Sequence, residues 1–121
     1  MDIEGCSPAS ECGRYFGASL RTWIAVFYTM LDLCEDLVEE ALFWDMADGE
    51  GAGPRDQAIC SEIAERFETN LAANPDGLYV VIEPSGGTEA TASIETYRAD
   101  REVVLRWIEF LRHCGGFEVW R

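Results

Sequence analysis

The stretch RYFGASLRTWIAVFYTMLDLCEDLVEEALFWDMA, residues 14–47, decides the fold. Large apolar side chains recur in it at alternating intervals of four and three residues, the spacing of one face of an α-helix. The pattern predicts one long N-terminal helix from Arg14 to Ala47, with a break near Thr29 or Asp32 as the alternative, because a helix of this length is unusual in a compact domain. The residues in this register are Phe16, Leu20, Trp23, Phe27, Met30, Cys34, Leu37, Ala41 and Trp44.

This apolar stripe has two interpretations. It forms either the core of the domain or the seam of a homodimer. Trp and Phe are bulky for the seam positions of a coiled coil, so we favour the core. A homodimeric regulatory or adaptor domain that uses the aromatic helix stays as an alternative function.

The chain after the long helix predicts an α+β fold. The expected elements are a helix from Pro54 to about Ala73, a β-hairpin of Leu78–Glu83 and Ala90–Tyr97, a helix N-capped by Asp100, and a last strand Phe117–Trp120. The order is therefore α-α-β-β-α-β, with a three-stranded antiparallel sheet in the order 2-1-3 and helices on one face. Residues 1–13 are predicted to be an irregular arm, and residues 14–121 a single α+β domain.

The charge of the chain excludes several partners. Its 121 residues carry 23 acids and 9 bases, a net charge of −14, and every base is an arginine. A phosphate backbone or an anionic membrane surface would repel such a chain, so we expect no direct nucleic-acid or membrane binding. The first ten residues lack the basic and apolar regions of a secretory signal, which predicts a cytoplasmic protein.

Eight of the acids lie between Arg21 and Arg55 with no base among them. They are Asp32, Glu35, Asp36, Glu39, Glu40, Asp45, Asp48 and Glu50. On one helix, like charges four residues apart repel, and acids in the last turns oppose the helix dipole, for a total cost of about 2 kcal/mol. Carboxylates on successive turns would lie about 5–6 Å apart, similar to phosphates along a DNA strand. The pattern therefore predicts a docking face for a basic partner.

In size, charge and helix patterning, the chain resembles anti-CRISPR proteins, antirestriction proteins that mimic DNA, and immunity proteins that neutralise toxic nucleases. The resemblance implies a non-catalytic inhibitor of a basic, nucleic-acid-handling protein, without cofactor or metal.

Phe43 lies off the apolar stripe and is either an anchor or part of the core. Replacing Asp36, Glu39 and Glu40 with Ala is expected to raise the melting temperature slightly and to weaken partner binding. The predicted contacts are Asp32, Glu35, Asp36, Glu39, Glu40, Phe43, Asp45 and Asp48.

A Cys–His hydrolase is the second alternative function, because His113 is the single histidine and could activate a cysteine thiol. The five cysteines have irregular spacings and no Cys-x-x-Cys pair, which predicts reduced thiols. No cysteine carries the local signature of a hydrolase. Cys6, Cys12, His113 and Cys114 match the spacing of no common zinc module. We therefore predict that the protein is not an enzyme.

Overall fold

The computed structural model describes residues 1–82 and 95–121, and these residues form a mixed α+β structure. The α+β class is confirmed, with four helices and two antiparallel sheets in these ranges. A short 3₁₀ turn spans Glu11–Gly13. The strands and helices in chain order are β1 (Asp2–Gly5), β2 (Tyr15–Gly17), α1 (Leu20–Leu33), α2 (Glu40–Asp48), β3 (Glu50–Ala52), α3 (Gln57–Ala73), β4 (Gly77–Ile82), β5 (Glu95–Asp100), α4 (Arg101–His113) and β6 (Phe117–Trp120).

The larger sheet has four strands in the order β2-β1-β6-β3. Ile3 in β1 pairs with Phe16 on one side and Val119 on the other, and all three side chains are buried. The prediction of an irregular arm over residues 1–13 is therefore wrong for Asp2–Gly5, which is a central strand. A strand of four residues with one buried side chain shows no clear alternation, so its sequence carries little signal.

The smaller sheet is the predicted hairpin of β4 and β5, with Leu78 opposite Ala99. Its predicted turn, and residues 83 and 90–94 of its predicted strands, lie outside the described residues. The last strand, β6, is present as predicted, but it pairs with β1 and β3. The three-stranded sheet in the order 2-1-3 is therefore wrong, because the partners of β6 are strands that the sequence did not reveal.

The single long helix is also wrong. Ser19 begins α1, since its hydroxyl accepts a hydrogen bond from the Thr22 amide at 3.2 Å. The connection between α1 and α2 keeps the apolar spacing, because Cys34 and Val38 in it are still buried. This is why the periodicity runs across the break without interruption. The alternative break near Asp32 is close to the observed end of α1 at Leu33.

The boundaries of the later helices lie close to those predicted, except at the start of α3. Gly49 ends α2 in the left-handed conformation with φ of 67°, which glycine adopts without the steric cost of a Cβ. The helix α3 begins at Gln57 rather than at Pro54, because the Asp56 carboxylate accepts a hydrogen bond from the Ala58 amide at 2.8 Å. Asp100 occupies the N-cap position of α4, as predicted.

The core is an aromatic cluster around Trp107 of α4. The rings of Phe16, Trp23 and Phe117 lie 5.1, 5.6 and 5.5 Å from it, centroid to centroid. Trp23, Phe27 and Met30 of the α1 stripe are buried in this core. The core interpretation is confirmed for these three residues, which are not free to form a dimer seam, whereas Leu20 and Trp44 of the same stripe are exposed.

Within residues 1–82 and 95–121, none of the helices combines the length and apolar character that crossing a membrane requires.

Candidate functional site

The acids between Asp32 and Glu50 lie on two helices, their connection and the start of a strand, not on one helix. Asp32 lies in the last turn of α1, and Glu35 and Asp36 lie in the connection. Glu39, Glu40, Asp45 and Asp48 are on α2 or at its N-cap, and Glu50 begins β3. All eight are exposed. Asp32/Asp36 and Glu35/Glu39 are therefore not i,i+4 pairs on one helix, and the regular helical spacing that was to match a phosphate strand does not hold across the connection.

The surroundings of Glu39 and Glu40 reverse their predicted electrostatic effect. Glu39 is the N-cap of α2 and Glu40 is its first residue, where the positive end of the helix dipole favours a carboxylate. Asp45 and Asp48 lie near the other end, where the dipole disfavours them. The Arg121 guanidinium partly offsets this by donating a hydrogen bond to the Ala47 carbonyl at 3.5 Å.

Asp36 is the acid of this group that an arginine neutralises. Arg66 on α3 donates to both of its carboxylate oxygens and also pairs with Glu62, four residues earlier on α3, at 3.6 Å. The hydrogen bonds from Arg66 hold the pKa of Asp36 below its ordinary value. Among the described residues, no arginine forms an ion pair with the other seven acids.

The melting temperature expected for the Asp36, Glu39 and Glu40 alanine variant must therefore be corrected. This variant would remove the Arg66 ion pair and two acids that favour the start of α2, so the melting temperature should fall. The opposite direction was inferred from one long helix, which would have put Glu39 and Glu40 near its C-terminal end and not at the start of α2.

Three of the acids, Glu35, Asp36 and Glu40, line one surface depression of about 550 Å³. The apolar side chains beneath and beside them are Leu31, Val38, Phe43 and Trp44. We call this feature the acidic depression. Asp32 lines a separate depression with Tyr28 and Asn70, so the structure does not join it to the other three.

Phe43 is buried and Trp44 is exposed. Phe43 is fully buried, with its ring 6.0 Å from that of Phe27, so the structure supports the core interpretation of this residue and not the exposed partner contact. Trp44, assigned to the core stripe by its spacing, is 46% exposed. The Glu40 carboxylate accepts a hydrogen bond from the Trp44 indole at 3.4 Å. The break between α1 and α2 rotates α2 relative to the register of α1, and the apolar periodicity does not reveal this rotation.

The cysteines divide into two exposed and three buried thiols. Cys34, Cys60 and Cys114 are buried, and Cys6 and Cys12 are exposed. Burial raises the pKa of Cys34 to about 12. A hydrogen bond with Cys114, together with burial, raises the pKa of Cys60. The Cys34 and Cys60 thiols are therefore protonated at neutral pH and are poor nucleophiles. Cys12 is the cysteine that the fold brings into a cluster with His113.

No known protein family matches the chain, and no curated protein or solved structure shows significant similarity to it.

Proposed function

We propose that this protein is a small acidic inhibitor that binds a basic, nucleic-acid-handling protein and performs no chemistry. The observation that carries the proposal is the acidic depression, in which exposed carboxylates surround an apolar floor beside a half-exposed tryptophan. A bound cationic side chain uses both the carboxylates and the apolar surface. Its aliphatic stem packs on apolar atoms while its charged head reaches carboxylates.

Arginine is the partner side chain that fits this depression best. A guanidinium can stack on the Trp44 ring and donate to Glu35 or Glu40 at the same time. The hydrogen bond from the Trp44 indole to Glu40 restricts the orientation of the indole before a partner arrives. Asp36 contributes less than its neighbours, because Arg66 already neutralises it.

The other acids act over a longer distance. Asp45 and Asp48 lie at the negative end of α2, so their charges add to the helix dipole rather than cancelling it. Together with a net charge of −14, they favour rapid encounter with a basic surface and disfavour acidic partners. A groove built to hold nucleic-acid phosphates is such a basic surface, and an acidic protein bound there would compete with the nucleic acid.

The test is affinity capture from a lysate at low salt, elution with a salt gradient, and identification of the bound protein by mass. The captured protein is then assayed for nucleic-acid binding with and without the acidic chain. We expect a basic protein that elutes as the salt rises and that releases its nucleic acid when the chain is added. Capture that does not depend on salt, or a ternary complex that retains the nucleic acid, would contradict the proposal.

A further inference from the structure

A second cluster of side chains lies outside the acidic depression, where the 3₁₀ turn Glu11–Gly13 meets the end of α4. It comprises the Cys12 thiol, the Glu109 carboxylate and the His113 imidazole, whose ligand atoms all lie within 4.8 Å of one another. The Glu109 Oε2 atom lies 3.9 Å from Cys12 Sγ and 3.9 Å from His113 Nε2. Cys12 precedes Glu109 by 97 positions, so only the fold brings these groups together.

Backbone contacts fix the two elements that carry the cluster. The His113 carbonyl accepts a hydrogen bond from the Ala9 amide at 2.8 Å, and the Cys114 carbonyl accepts one from the Ser7 amide at 3.0 Å. Gly13 packs so closely on α4 that a Cβ there would overlap the His113 carbonyl. The turn therefore cannot move away from α4 without breaking these contacts, and Cys12 is held beside Glu109.

The charges around the cluster favour a cation. Of the two arginines three residues from Glu109 on α4, Arg112 pairs with Glu68 on α3. Arg106 lines the same depression as Cys12 and Glu109, where its guanidinium stacks over the Phe16 ring at 5.5 Å and forms no ion pair with Glu109. The cluster also lies at the C-terminal end of α4, the negative end of its dipole. A cation bound at the cluster would be stabilised both by the Glu109 carboxylate and by this dipole.

We propose that Cys12, Glu109 and His113 form a Zn²⁺ site with water as the fourth ligand. Sulfur, imidazole nitrogen and carboxylate oxygen are the ligand atoms that zinc takes in proteins. Tetrahedral zinc places a sulfur and a nitrogen ligand roughly 3.5 Å apart, so rotations of exposed side chains suffice to close the cluster around the ion. Binding deprotonates the Cys12 thiol, and its proton passes to solvent. The Ser10 hydroxyl, 3.1 Å from Cys12 Sγ, can donate a hydrogen bond to the resulting thiolate.

The experiment is a titration of the reduced, metal-free protein with Co²⁺, followed by displacement with Zn²⁺. We expect one equivalent of Co²⁺ to give a thiolate-to-cobalt charge-transfer absorption that Zn²⁺ removes. In Cys12→Ser this absorption should be lost. In Cys12→Ser and in His113→Gln the affinity for Zn²⁺ should fall by more than roughly 10–100-fold, which is the cost of replacing a residue that only hydrogen-bonds a metal ligand. All three ligand side chains are at least partly exposed, so circular dichroism should show that the variants remain folded.

Matched controls separate this site from nonspecific binding by thiols or carboxylates. Cys6→Ser removes the other exposed thiol, and Glu102→Gln removes another exposed acid of α4. Both variants should bind Zn²⁺ as the original chain does. Bound Zn²⁺ should also slow the alkylation of the Cys12 thiol. The proposal is overturned if Co²⁺ shows no charge-transfer absorption or if Cys6→Ser reduces binding as much as Cys12→Ser. It is also overturned if Zn²⁺ leaves the alkylation rate of Cys12 unchanged.

Discussion

The guanidinium of Arg66 on α3 donates hydrogen bonds to both carboxylate oxygens of Asp36, in the connection between α1 and α2. The same guanidinium donates to the Leu33 carbonyl at 2.8 Å, so it also satisfies the C-terminal end of α1. The Arg66 side chain therefore links the connection between α1 and α2 to α3. Because Asp36 lines the acidic depression, Arg66 positions part of its wall.

Replacing Arg66 with Gln should raise the pKa of Asp36 toward the ordinary value for aspartate. A carboxyl whose pKa is lowered by folding stabilises the fold above its unfolded-state pKa, and this stabilisation is lost as the pH falls through the lowered value. The original chain should therefore be more stable than Arg66→Gln at neutral pH, and this difference should shrink in acid. NMR titration of the Asp36 carboxyl measures the shift. Arg112→Gln, which breaks the pair with Glu68, is the control. Equal Asp36 pKa values in the original chain and Arg66→Gln would refute the role given to this pair.

Neutralising acids at the two ends of α2 should change stability in opposite directions. Glu40→Gln removes a charge that the start of the helix favours, and Asp48→Asn removes one that its end disfavours. We expect the first to lower and the second to raise the free energy of unfolding, each by about 0.3–1 kcal/mol at low salt. Urea denaturation measures both. If both substitutions stabilise the protein, the single long helix describes the electrostatics better than the observed break.

Phe43→Ala should destabilise the protein by about 3–5 kcal/mol, because it leaves a cavity where a fully buried ring packed. Trp44→Ala should cost much less, since the Trp44 side chain is nearly half exposed, but it should weaken binding of the basic partner. Chemical denaturation and a binding assay separate the two effects. A small stability loss for Phe43→Ala combined with lost binding would restore Phe43 as the anchor.

Local patterns in the sequence were enough to predict α3, α4, the hairpin and β6. Each of these elements has its own periodicity or turn residues, such as Asn74, Pro75 and Asp76 before β4. The larger sheet could not be predicted, because it pairs Asp2 with Trp120, at the two ends of the sequence. Such pairing depends on the whole fold and leaves no local signal.

The candidate site was predictable in composition but not in geometry. The run of acids without a base is visible in the sequence. The length of the stripe suggested a break near Asp32 only as an alternative, because Cys34 and Val38 keep the apolar spacing across the observed connection. That break moved Glu39 from a predicted C-terminal turn to an N-cap position. It also exposed Trp44, which its spacing had assigned to the core.

Alkylation of the native protein should modify Cys6 and Cys12 and spare the three buried thiols. Burial excludes the reagent, and the raised pKa of Cys34 and Cys60 keeps both thiols protonated. Mass spectrometry after a short iodoacetamide treatment, compared with the protein in denaturant, counts the modified residues. Equally rapid labelling of Cys34, Cys60 or Cys114 in the folded protein would contradict the packing described for them.

The most direct measurement compares two variants that each lose three negative charges. Glu35→Gln, Glu40→Gln and Asp45→Asn neutralise the acidic depression and its surroundings, and their effects at the two ends of α2 oppose each other. The control variant carries Glu65→Gln, Asp76→Asn and Glu102→Gln, at exposed positions elsewhere. The affinity of each for the captured basic protein is measured at fixed salt. We expect the first variant to bind at least about tenfold more weakly, a loss of about 1.4 kcal/mol, and the control to bind nearly as the original chain does. Equal losses in both variants, or no loss in either, would contradict a partner contact at the acidic depression.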